Sequence, residues 1–316
     1  MAQTGTTHLV DPQLQPLLAM LGGPIELSTA LLPAMRERIG TTFASPAGDA
    51  PAPRVVDVPG STIQVRVQVP AAAVGPHPAI YHMHGGGFVS GFAAMGDEPN
   101  GRRAQSHGAV VVSVDYRLAP ETPFPGPVED CYAGLAWLFA NATDLNIDPD
   151  RVVITGESAG GGLAAALALL WRDRGGRTLA GQVLTYPMLD HRTGSPEDPY
   201  GNACAGEFVW TPSANRFGWA AMRGDQVIAA DRLAHFSPAL ASDLAGLPPT
   251  FMGVGALDLF LNEDLAYAAR LAGAGVPVEA HVYPGAFHAF DVMAGADVAQ
   301  RYASDVNKAF ARLLAP

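Results

Sequence analysis

The sequence predicts an α/β fold with a mostly parallel sheet covered by helices on both faces, and three observations carry that prediction. Short runs rich in Val, Ile or Tyr alternate with helical patterns through most of the chain, and parallel strands joined by helices are the arrangement that buries both. Hydrophobic residues make up 48% of the 316 residues, enough for a sizeable core. Gly (35) and Pro (27) are abundant without a G-X-Y period, which suits many strands and tight turns and excludes a collagen-like chain.

The elements follow in order. Residues 11–40 read as helical pieces: Leu14, Leu17, Leu18 and Leu21 recur at three- and four-residue spacing, and residues 27–39 do so again after Gly22-Gly23-Pro24. Residues 44–53, rich in Pro, Ala and Gly, read as a linker. Two strands come next, 55–58 and 63–69. In the second, Ile63, Val65, Val67 and Val69 alternate with polar residues at period two, and Pro59-Gly60 makes the turn between the strands. Six further strands are expected at 79–82, 109–114, 152–155, 182–185, 249–254 and 278–283, giving an eight-stranded sheet. Helices are expected at 100–107, 128–141, 159–174 and 263–272. Residues 189–247 break the rhythm with no clear strand, the mark of a lid or inserted subdomain.

Composition excludes several functions. The formal charge is −11, from 19 basic and 30 acidic side chains, and such a field repels phosphate backbones, so no nucleic-acid partner is expected. Cys131 and Cys204 are too few for a disulfide framework or a cysteine-rich zinc site, and two reduced thiols point to the cytoplasm. Residues 1–10 are polar, without a basic stretch leading into an apolar one, which argues against a secretory signal. The apolar run at 160–171 is too short to span a bilayer, so no membrane partner is expected.

The chemistry-bearing motifs begin with Gly156-Glu157-Ser158-Ala159-Gly160, directly after one predicted strand and directly before an apolar helix. That is the setting of a nucleophile elbow, where flanking glycines permit a sharp turn and the serine hydroxyl is pushed out over the sheet. A plain glycine turn into a helix is the alternative. His84-Gly85-Gly86-Gly87-Phe88 follows an earlier strand; consecutive glycines let backbone N–H groups converge on one point, as an oxyanion requires. A serine nucleophile needs a base and the base an orienting acid. With the order Ser…Asp…His, the candidates for base are His191, His235, His281 and His288. His288 is favoured because it lies just past the last strand, whereas His281 lies within it. For the acid, Asp258 follows the 249–254 strand and Asp190 competes from the loop after the 182–185 strand.

Taken as a set, His84 to Phe88, Asp115-Tyr116-Arg117-Leu118-Ala119-Pro120-Glu121, Gly156 to Gly161, Asp258 and His288 resemble the hormone-sensitive-lipase-like (family IV) bacterial esterases from about residue 54 onward. The resemblance implies an α/β-hydrolase fold comprising a catalytic domain (51–316) and a helical cap, the cap built from residues 1–50 and an insertion at about 189–247. It implies oxyanion donors at the backbone N–H groups of Gly86, Gly87 and Ala159, motif support from His84, Gly85 and Glu157, and support of the acid loop by Glu263. It also implies a homodimer through the last strand and the adjoining helix. The sequence departs from the family pattern at Glu157, where Asp is commoner, at Leu259 in place of Pro, and at Ala289 in place of Gly.

The expected activity is hydrolysis of short- to medium-chain carboxylic esters, small-molecule substrates, by Ser158, His288 and Asp258 without metal or cofactor. An amidase or peptidase with the same triad, or a non-catalytic binder on the same scaffold, is the alternative. Among weaker signals, His82 and His84 have a spacing that two metal ligands would share, but no third ligand is evident. Phe208, Trp210, Phe217 and Trp219 line a pocket or form the core of the insertion, with core favoured. Cys131 is read as a small buried residue.

Overall fold

The computed structural model describes residues 5–21, 27–42, 52–71 and 75–316. Its helices and strands are α1 (Gln15–Leu21), α2 (Leu32–Thr42), β1 (Arg54–Asp57), β2 (Gln64–Gln68), β3 (His77–Met83), α3 (Asp97–His107), β4 (Val110–Asp115), α4 (Gly126–Ala140), β5 (Ile147–Glu157), α5 (Ala159–Asp173), β6 (Gly181–Thr185), α6 (Pro212–Arg223), α7 (Leu233–Phe236), β7 (Thr250–Gly255), α8 (Leu261–Gly273), β8 (Val278–Tyr283) and α9 (Asp297–Leu313). One eight-stranded sheet runs in the order β1-β2-β4-β3-β5-β6-β7-β8. The β1–β2 and β2–β4 pairs are antiparallel and the rest of the sheet is parallel. The α/β class, the strand count and the mainly parallel sense match the expectation from sequence.

Alternation at period two explains how each strand feeds two cores. In β3, Ala79, Tyr81 and Met83 face one core with α4, α5 and α8, while Ile80 faces the other with Val111, Val153, Val183 and Phe251. The second core is closed by α9, through Val298, Tyr302, Val306, Phe310 and Leu313, and by Val10, Leu14 and Leu17 near the N-terminus. Every residue of β3, β6 and β7 is buried, as a doubly covered parallel sheet demands.

Three elements differ from the expectation. The segment expected to be helical from residue 27 becomes α2 only at Leu32, after a turn in which Leu31 and Leu32 bond back to Ser28. Strand β5 starts at Ile147, ahead of the expected 152. Helix α9 is not among the expected elements, although its buried residues fall on one side at three- and four-residue spacing. Gly22-Gly23-Pro24 and most of the linker lie outside the described residues. Within 189–247 the structure contains helices and no strand, and α6 packs its Phe217 and Ala221 toward Leu27, Leu32 and Met35.

Register places the site. Met83 of β3 sits opposite Gly156 of β5, Glu157 opposite Thr185 of β6, Thr185 opposite Gly253 of β7, and Gly255 opposite Tyr283 of β8. The parallel strands therefore end together, and the loops after β3, β5, β7 and β8 meet at the carboxyl edge, where open α/β sheets bind ligands.

Candidate active site

Ser158 joins β5 to α5 with φ 57° and ψ −121°, a positive-φ backbone that a residue with a Cβ adopts only under constraint. The glycines around it make the turn feasible. A Cβ on Gly156 would lie 2.3 Å from the carbonyl oxygen of Gly160, and one on Gly160 would lie 2.2 Å from that of Met83. The turn is fastened by Ser158 N–H donating to Thr185 O at 2.9 Å, while Ser158 O accepts from Gly162 and Met188. The side chain stands at the N-terminus of α5, whose peptide dipoles favour developing negative charge.

The loops after β8 and β7 bring the next two groups. His288 Nε2 lies 2.9 Å from Ser158 Oγ, and His288 Nδ1 lies 2.8 Å from Asp258 Oδ2. A carboxylate only accepts, so the imidazole proton sits on Nδ1 and the bare Nε2 accepts from the serine hydroxyl. Asp258 Oδ1 accepts from Phe260 N–H at 3.0 Å, so both carboxylate oxygens are engaged although Leu259 replaces the family's Pro. Ser158, His288 and Asp258 are all buried. Aromatic rings enclose the imidazole: Tyr186 at 4.7 Å, Phe260 at 5.3 Å and Trp210 at 6.3 Å between centroids.

The other candidates are engaged elsewhere. Asp190 accepts from Arg192 and from Tyr200 Oη. His281 pairs with Glu279 and His235 with Asp173. His191 lines a cavity of about 530 Å³ between α6 and α7.

The glycine loop lies beside the serine. A Cβ on Gly85 would meet Glu157 O at 3.0 Å and Ser158 Cβ at 3.5 Å. Gly86 and Gly87 have φ of +128° and +62°, conformations that favour glycine. Among the described residues, the backbone N–H groups of Gly86, Gly87 and Ala159 donate to no protein acceptor. His84 shapes the loop: its ring stacks on Tyr116 at 4.1 Å, its Nδ1 donates to Gly85 O, and its own carbonyl accepts from Tyr116 Oη at 2.7 Å. Burial lowers the His84 imidazole to about 4, so the ring is neutral at ordinary pH.

Beneath the elbow lies a network that no motif in the sequence announces. Glu157 Oε2 accepts from His82 Nε2 at 2.9 Å and Glu157 Oε1 from Arg103 at 3.1 Å, while Asn100 bridges His82, Ser113 and Arg103. Burial opposes the Glu157 charge, but His82 and Arg103 outweigh it and hold the carboxyl at about 2. His82 and His84 thus have structural partners of their own.

Glu263 calls for a correction. It does not bond the acid loop but accepts from Leu189 and Asp190 N–H and from Thr193 Oγ1, anchoring the start of the 189–247 segment. Burial pushes its carboxyl well above the usual range. Trp210, read from sequence as pocket-lining or core with core favoured, and Tyr186, which the sequence does not single out, border the imidazole. Trp210 also covers the glycine loop, and a Cβ on Gly87 would lie 2.1 Å from its ring. The remaining insertion aromatics pack as core, Trp219 against Phe88 and Phe236, and Phe208 against Phe287.

Fold and geometry define a serine hydrolase of the α/β class. A family model described as alpha/beta hydrolase fold matches residues 80–292, and the chain belongs to that family, grouping within it with the hormone-sensitive-lipase-like esterases. It is 32% identical over 295 residues to Esterase LipI of Mycobacterium tuberculosis, with 90% of each chain covered. It is 36% identical over 244 residues to Carboxylesterase NlhH of the same species, covering 75% of this chain and 74% of the relative. Among solved structures, Bacterial Heroin Esterase superposes with a TM-score of 0.89 at 36% identity, over 98% of this chain and all of the other. Among the described residues no helix is long and apolar enough to cross a membrane.

Proposed function

We propose that Ser158, His288 and Asp258 hydrolyse carboxylic esters through an acyl-enzyme. Ser158 Oγ attacks the ester carbonyl as His288 Nε2 takes its proton, and Asp258 holds the Nδ1–H tautomer and stabilises the imidazolium. The carbonyl oxygen, now negative, accepts from the N–H groups of Gly86, Gly87 and Ala159. Collapse expels the alcohol, which receives the proton from His288. Water, giving a proton to His288 Nε2, then attacks the acyl-serine; the acyl–Oγ bond breaks, Ser158 Oγ takes the proton back and the carboxylic acid leaves. The single observation that carries this reading is the unbroken relay of 2.9 Å and 2.8 Å from serine to imidazole to carboxylate, with unclaimed N–H donors beside it.

The esterase relatives support ester substrates, and the enclosed setting supports short to medium acyl chains. Ser158 is 7% exposed and His288 5%. The N-terminal segment (1–50) and the insertion (189–247) act as the cap over a catalytic domain from residue 51. Two further assignments belong to the same reading. Cys131 and Cys204 are unpaired, which fits a reducing cytoplasm. A homodimer forms along β8, an edge strand whose Val282 is exposed; light scattering of the purified protein tests it. For the catalytic assignment, labelling with a fluorophosphonate followed by peptide mapping should find the adduct on Ser158 and none in Ser158→Ala. An adduct on another serine of the wild type overturns it.

A further inference from the structure

We propose that Tyr186 and Asp291 form a positioning pair that fixes the His288 imidazole between Ser158 and Asp258. The inference rests on the triad assigned above and adds two residues that touch no reacting atom.

Tyr186 follows β6 with φ +34°, an unusual backbone for an aromatic residue, held in place by Tyr186 N–H donating to Gly253 O at 2.7 Å. From there its side chain does two things at once. Its ring packs edge-to-face with the imidazole at 4.7 Å, and its hydroxyl donates to Asp291 Oδ1 at 2.6 Å. Burial keeps the phenol protonated, so it is the donor. Asp291 stands three residues past His288 in a short 3₁₀ turn, and the residue next to the histidine on that side, Ala289, has φ +61°.

The two sides of the base loop are held differently. Upstream of His288, backbone bonds tie the loop to its surroundings: Asp11 N–H donates to Gly285 O and Leu257 N–H to Ala286 O. Downstream, the backbone bonds of residues 289–296 run only between successive turns, from Phe290 N–H on Phe287 O to Gln300 N–H on Ala296 O, and none reaches a strand. Among the described residues, the Tyr186–Asp291 hydrogen bond is what ties this downstream part by polar contact to the end of the sheet, and it does so through the residue whose ring packs against the imidazole. A base that must accept a proton from one atom and return it to another is sensitive to sub-ångström displacement. The pair therefore acts on turnover and not on substrate binding.

The test is a double-mutant cycle on the full chain with p-nitrophenyl butyrate. Tyr186→Phe and Asp291→Ala should each lower kcat about tenfold, leave KM within about twofold, and leave the melting temperature nearly unchanged. The double variant should be no worse than either single, because both remove one interaction. Asp291→Asn, which keeps an oxygen acceptor for the phenol, should restore kcat to within about threefold of wild type. Multiplying losses in the double variant, or single variants that lower the melting temperature with kcat intact, overturn the pairing. Fluorophosphonate mapping on the same samples separates the two levels. Absence of an adduct on Ser158 in the wild type defeats the triad itself, whereas a normal adduct with unaffected kcat in the variants defeats only the positioning role.

Discussion

The substitution Glu157→Gln removes the negative charge that His82 and Arg103 hold in the network beneath the elbow. The glutamate carboxyl falls from its ordinary 4.5 to about 2 in the folded protein, with burial opposing the charge and His82 and Arg103 overcoming it. A depressed carboxyl contributes stability that is present above the unfolded value and lost as pH falls through the folded one. The drop corresponds to roughly 3 kcal/mol at neutral pH, and the carboxyl is only 22% exposed, so solvent screening leaves most of it. The substituted amide would keep an oxygen for His82 but leave the Arg103 guanidinium, 18% exposed, without its anion. Urea unfolding of both proteins from pH 3 to 8 measures the difference. Wild type should lead by about 3 kcal/mol above pH 6, and the lead should shrink steadily below pH 4.5. A gap independent of pH, or one below about 0.5 kcal/mol at pH 7, would refute the claim that the charge is stabilised by its partners.

Other outcomes are expected from the same geometry. Asp258→Asn should cost on the order of 10⁴ in kcat because the amide favours the wrong imidazole tautomer; Asp190→Asn should stay within about tenfold, and an exchange of these phenotypes in steady-state assays would move the acid to the earlier loop. Gly87→Ala should lower kcat at least about 100-fold, since its Cβ would collide with Trp210 at 2.1 Å on a backbone of φ +62°; an active alanine variant would dissociate Gly87 from the oxyanion site. A p-nitrophenyl ester series should peak at about four to six acyl carbons, each CH₂ contributing roughly 0.8 kcal/mol until the space beneath the proposed cap is full; a monotonic rise to long chains contradicts the capped reading. Deleting residues 1–40 should flatten that optimum and lower stability, because Val10, Leu14 and Leu17 pack with Phe287 and Phe290 of the base loop; an unchanged optimum in a folded truncation would free the segment from any role at the pocket.

The sheet and the three residues of the proposed triad are legible in the sequence because each leaves a local trace. Period-two alternation marks a strand such as β2 without reference to any neighbour, glycines bracket Ser158, and chain order restricts the base. The rest has no local trace. Tyr186 and Asp291 are 105 positions apart and meet only because β6 and the loop after β8 end at one edge. His82, Asn100, Arg103 and Glu157 come from three separate elements, gathered by the register of β3 against β5 and by the placement of α3 beside them. Glu263 is expected at the acid loop by the family resemblance, yet its position on α8 aims it at the backbone of Leu189 and Asp190. Helix α9 is the exception, because its stripe of Val298, Tyr302, Val306, Phe310 and Leu313 does carry a helical period although no helix is expected there.

The distribution of backbone strain ties these observations together. Six non-glycine residues among those described have positive φ: Phe88, Asn146, Ser158, Tyr186, Val209 and Ala289. All but Asn146 are a site residue or adjoin one: Phe88 closes the glycine loop, Val209 precedes Trp210, and Ala289 follows His288. Such conformations cost on the order of 1–3 kcal/mol each and persist only where the surroundings over-determine them. Here the surroundings are the aligned ends of the parallel strands, whose ladders fix the take-off point of every loop, together with side-chain anchors such as Glu263 on Leu189 and Tyr186 on Asp291. Glycine marks the positions where relief of strain is legible, as at Gly86 and Gly87. Where a side chain is needed on a strained backbone, as at Ser158 and Tyr186, the strain is retained and the tertiary structure must hold it. Residues of this second kind are therefore where a search for further functional positions in this chain should start.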